Sequence, residues 1–192
     1  MMGVRRTWWA LTRRWWAMAL LVTLGAALCV HLPAAETARA HFPKHAPAAL
    51  AQLLTDFSVQ PHIGAWRLES DWSNYTSWRY TATFACGARC AGRAAVEAHA
   101  RHAGGPRHGR AAHHAVRVAT RACTALPLLP WITFCEEMET TATVWSDGAG
   151  GARLEQRRAA RCAALATLSG ACARRLRRDA DEQLQRLRLA LL

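Results

Sequence analysis

Lysine is all but missing from this chain: Lys44 is the only one among 192 residues. Positive charge is left to arginine, and the matching abundance of alanine marks a compositional bias, not an arginine-specific mechanism. No serine or cysteine stands in a recognisable nucleophile motif, so no enzyme signature is present. No two cysteines have the two-residue spacing usual for thiol exchange; Cys86 and Cys90 are separated by three residues. No internal repeat is apparent, which removes the solenoid architectures. No acid precedes Glu36, whereas Arg5, Arg6, Arg13 and Arg14 do.

That asymmetry frames the one long apolar run, residues 15–35, which carries no formal charge. About 20 apolar residues suffice to cross the hydrocarbon core as a helix. Arginine on the N-terminal side alone places the start in the cytoplasm and the rest outside. Two readings fit. As a signal peptide, the helical run ends at Pro33 and is cut after Ala38-Arg39-Ala40, leaving His41 first. As an uncleaved anchor, it holds the membrane through residues 15–35, with Trp8-Trp9 and Trp15-Trp16 at the interface. Residues 1–40 are thus the export segment and residues 41–192 one exported domain, periplasmic or extracellular.

The net charge of +12 is uneven. Residues 89–121 hold seven arginines and one acid, and residues 153–192 hold ten arginines and four acids. Between them, residues 122–152 have four acids and no base. Basic blocks that neutralise the chain's own acidic strand account for this without nucleic acid, which is set aside as a partner. Six cysteines follow residue 40: Cys86, Cys90, Cys123, Cys135, Cys162 and Cys172. An even count outside the cytoplasm reads as three disulfides of unassigned connectivity.

Helical spacing of Ala48, Leu50, Leu53, Leu54 and Phe57 predicts a short helix over 46–57. From Trp66 the period becomes two. Trp66, Leu68, Ser70 and Trp72 share one face, and after a polar turn Trp78, Tyr80, Ala82, Phe84 and Cys86 share another. This predicts a hairpin. Alternation recurs at 113–122 and 131–145, with Glu136 interrupting the apolar side of the latter. The alanine-rich stretch Ala91–His102 reads as a short helix, and residues 99–114 as a His- and Arg-rich loop. The leucine and cysteine stripe from Leu154 to Leu191 predicts one long basic helix over about 153–190, divisible at Ser169-Gly170. If that helix is continuous, Cys162 and Cys172 lie about 15 Å apart and cannot bridge each other.

The expected architecture is therefore α+β. A four-stranded antiparallel sheet (about 66–72, 78–86, 113–122 and 131–145) is packed by a short N-terminal and a long C-terminal helix, stapled by disulfides.

Three candidate chemistries remain. His99 and His102, three apart on a helix, with His113 and His114 nearby, carry ligand nitrogens for zinc, copper or nickel. Arginines interleaved with them repel a cation, and no cofactor is implied. Glu137 and Glu139 share a strand face, where like charges can raise one pKa for acid–base work. Opposite arginines, they read equally as an exposed face. Asn74-Tyr75-Thr76 matches the N-glycosylation acceptor pattern in a predicted turn. The expected function is that of an exported, non-enzymatic protein binding a partner or supporting an envelope assembly. Metal handling at residues 99–114 is the alternative, and thiol redox chemistry at Cys86 and Cys90 the third.

Overall fold

The computed structural model describes residues 14–23, 25, 30–57, 60, 63–74, 76–101, 113–127, 130–131 and 133–192. Residues 14–23 are helical (α1). Among the described residues no helix is long and apolar enough to cross a membrane. Part of the apolar run, at 24 and 26–29, lies outside them.

The sheet has seven strands, not the four expected. They are β1 (His31–Phe42), β2 (Trp66–Ser73), β3 (Ser77–Gly87), β4 (Cys90–Arg101), β5 (His113–Ala125), β6 (Thr133–Ser146) and β7 (Ala152–Ala163). Helices α2 (Pro47–Thr55), α3 (Ala164–Leu168) and α4 (Ala171–Ala190) complete the fold. Every neighbouring pair is antiparallel, in the order β1-β7-β6-β5-β4-β3-β2. The four predicted strands fall at β2, β3, β5 and β6. The other three overturn local expectations: β1 occupies the proposed cleavage region, β4 replaces the alanine-rich helix, and β7 replaces the first part of the long helix.

Each of these three strands is decided by its neighbours. Residues of β7 alternate between buried even positions (Ala152, Leu154, Gln156, Arg158, Ala160) and outward Arg153, Arg157 and Arg161. Pairing with β1 on one side and β6 on the other satisfies its backbone groups, which a helix in isolation would satisfy alone. In β4 the buried residues are Ala94, Val96 and Ala98. Small side chains there let α2 approach the sheet: Leu50, Ala51 and Leu54 join the same apolar cluster. A positive φ of 70° at Gly170 turns the chain from α3 into α4.

Both α2 and α4 lie on the inner face. At one end of the sheet, Phe42, Leu154, Val144 and Val96 pack with Leu184 and Leu187 of α4. At the opposite end a smaller cluster joins Ala160, Cys172 and Leu176. The outer face is a field of cross-strand ion pairs. Arg39 meets Glu155 (3.3 Å), Arg79 meets Glu97 (2.9 Å), Arg93 meets Glu69 (2.8 Å) and Arg117 meets Glu139 (2.7 Å). Such exposed pairs each contribute only ~0–1 kcal/mol, and they settle register more than stability.

Candidate functional site

Three disulfides join the cysteines in sequence order: Cys86–Cys90, Cys123–Cys135 and Cys162–Cys172, with Cα–Cα distances of 4.9, 4.0 and 6.3 Å. The last pairing exists because β7 and the turn through α3 fold the chain back at Gly170. All three stand at one end of the sheet. There β3 leads into β4, β5 leads into β6, and β7 leads into the helices.

Behind these bridges, between the sheet and the first half of α4, lies a cavity of about 650 Å³. Its apolar wall is Phe84, Ala122, Phe134, Met138, Ala166 and Leu176, and all three bridges border it through Cys86, Cys90, Cys135, Cys162 and Cys172. The polar wall is Thr120, Glu136, Arg158, Arg175 and Asp179. The volume is that of a small-molecule pocket, mainly apolar with a few convergent polar groups.

Several residues shape it. Gly92 faces Phe84 across the β3–β4 ladder, and a Cβ there would come within 2.4 Å of the Phe84 ring and 2.7 Å of the Arg121 carbonyl oxygen. Glycine at this position leaves room for the Phe84 ring, which borders the cavity. Arg175 donates to Glu136 at 2.8 Å and stands 4.0 Å from Asp179, linking α4 to β6 across the cavity. Arg177 reaches Glu36 at 3.4 Å and ties α4 to β1.

Between the cavity and Leu154, Leu184 and Leu187, a polar layer joins β7 to α4. Gln156 (0% exposed), Arg158 (1%) and Gln183 (0%) are fully buried in it. Gln183 Oε1 accepts from both Gln156 Nε2 and Arg158 Nη2. Arg158 Nε and Nη1, Gln183 Nε2 and Gln156 Oε1 find no hydrogen-bond partner among the described residues. Burial pushes the Arg158 guanidinium down to about 10, although Asp179 and Glu182 pull the other way.

The residues singled out in the sequence are placed as follows. His99 lies exposed on β4, and His113 and His114 open β5. His99 pairs with Ala115 and His113 with Arg101, so these two share a face while His114 points to the other. His102 falls outside the described residues. Among those described, no three His, Cys, Asp or Glu groups gather as metal ligands. Glu137 and Glu139 are on the outer face beside Arg121 (3.8 Å) and Arg117. Asn74 turns β2 into β3: its Oδ1 accepts from the backbone N–H of Thr76 (3.0 Å) and Ser77 (2.7 Å).

Sequence reasoning passed over Arg158, the one arginine at an inward position of β7. Period-two placement of Arg153, Glu155, Arg157 and Arg161 was the available signal. Glu136, noticed as an interruption of an apolar face, is a cavity residue on a regular strand.

No protein-family model matches the chain, and no curated protein matches it. Among solved structures, it is similar to hypothetical protein jhp0584 from Helicobacter pylori: 12% identity, TM-score 0.46, covering 80% of this chain and 85% of that one. It is also similar to TTHA0849 from Thermus thermophilus, with 12% identity, TM-score 0.44, and coverage of 80% and 94%. The human StarD13 lipid transfer and protein localization domain follows at 9% identity and TM-score 0.38, with 67% and 62% covered. Likeness at this level bears on neither the chemistry of the cavity nor the role of the chain.

Proposed function

We propose that this chain is an exported, envelope-associated binding protein whose domain holds a small, largely apolar molecule between the sheet and α4. The cavity of about 650 Å³ carries this reading, with its apolar wall and its few polar groups. Binding, not catalysis, fits the groups that border it. Glu136 and Asp179 both lie beside Arg175, and the bordering cysteines are all in disulfides. Three bridges suit an oxidising compartment, and the apolar run behind an arginine-only flank supplies the route there. Because β1 begins at His31, export that preserves the fold keeps the membrane-associated segment upstream of that residue.

The test is calorimetric titration of the full chain in lipid nanodiscs with 1-decanol, a neutral apolar probe, against empty nanodiscs. Saturable binding above the blank is expected. Ala122→Trp, which fills the cavity from β5, is expected to abolish it. No binding above the blank, or equal binding by the Ala122→Trp chain, sinks the reading.

A further inference from the structure

We propose that Arg158 anchors an oxyanion, a carboxylate or phosphate carried by the otherwise apolar molecule in the cavity. This rests on the cavity reading above and names the polar end of its ligand. Arg158 is 1% exposed, and among the three buried residues of the polar layer it is the one that also borders the cavity. A guanidinium has five N–H donors and no acceptor. Only Nη2 is engaged, by Gln183 Oε1, while Nε and Nη1 find no acceptor among the described residues. With Gln183 Nε2, the layer holds three orphaned donor nitrogens against one orphaned acceptor, Gln156 Oε1. An unpaired buried donor is costly, so a layer so unbalanced is complementary to a group that only accepts. A carboxylate or phosphate is such a group, and charge-assisted bonds to a buried guanidinium are the strong kind.

No acid on the cavity wall hydrogen-bonds Arg158 Nε or Nη1. Glu136 is held by Arg175 at 2.8 Å, and Asp179 stands 4.0 Å from the same arginine. Asp179 and Glu182 act on the Arg158 guanidinium through space, but neither bonds to Nε or Nη1. Phe84, Met138 and Leu176 then receive the apolar body of a ligand whose acid end lies deepest.

The experiment compares decanoate, decyl phosphate and 1-decanol on the full chain in nanodiscs, with empty nanodiscs as blank. An oxyanion is expected to bind about tenfold or more tighter than decanol, the scale of a charge-assisted bond to a buried group. Whichever of decanoate and decyl phosphate binds tighter names the oxyanion. Arg158→Met is expected to erase the preference while decanol binding persists. A second measurement needs no variant: the carbon-13 carboxyl resonance of bound decanoate should titrate at lower pH than that of free decanoate. Equal affinities for all three probes overturn the oxyanion site and leave the cavity reading standing. A preference that survives Arg158→Met, or an unshifted carboxyl titration, overturns Arg158 as the anchor. Binding of none overturns both.

Discussion

Tyr80 shows how one side chain joins two elements and sets a pH limit. It points inward from β3, packs edge-on against Phe57 with ring centroids 5.7 Å apart, and donates its hydroxyl hydrogen to the Thr55 carbonyl at the end of α2. Burial, with Asp56 nearby, pushes its phenol up to about 12. The unfolded chain ionises near the ordinary value of about 10. Stability from this group is therefore complete below about pH 10 and is lost as pH rises towards about 12. Denaturant melts at pH 9, 10, 11 and 12 should show the native chain weakening over that window. Tyr80→Phe should start less stable, having lost the bond to Thr55, and should weaken less across it. Parallel pH profiles for the two chains would rule out this assignment.

At the scale of elements, β1 limits where the proposed export segment can be cut. Its twelve residues pair with β7 from His31↔Ala163 to Phe42↔Ala152, and Glu36 within it holds Arg177 of α4. Cleavage after Ala40 would remove all but the last two and expose the β7 edge. N-terminal sequencing of the mature protein is therefore expected to show no terminus at His41, and a terminus at or before His31 if any cut is made. A His41 terminus on folded protein would mean that β1 is dispensable. The same strand explains what could be read from the sequence. Strands β2, β3, β5 and β6 announce themselves through aromatic and β-branched residues in alternation. In β1 and β4 half of the inward positions are alanine, a residue of high helix propensity and little hydrophobic contrast, and in β7 the polar Gln156 and Arg158 interrupt them. Their state is set by strand partners far away in sequence, which local pattern does not contain. The cavity was illegible for the same reason. Reading residues 153–163 as helix placed Arg158 on a wet surface, whereas the strand buries it.

Across the whole molecule, stability is divided between two ends built differently. One end is closed by apolar packing of α2 and α4 on the sheet, with Val96, Val144, Leu50 and Leu187 all fully buried. The other surrounds the cavity, has the smaller cluster, and is closed by three bridges spanning 4, 12 and 10 residues. Cross-links of such short loops contribute about 2–3 kcal/mol each at most, chiefly by restricting the unfolded chain. Their loss should fall on the end that has least packing to replace them, since local opening follows local contact. Hydrogen exchange of the full chain before and after reduction is expected to be asymmetric. Amides in 84–92, 120–126, 133–138 and 160–176 should exchange faster after reduction. Those in 94–98, 142–146, 152–156 and 183–187 should keep their protection. Uniform loss would mean that the apolar end cannot stand without the bridges; no change at either end would mean that cavity contacts alone hold the mouth. The asymmetric result would make the disulfides the frame of the cavity: they fix its walls while the packed end holds the fold.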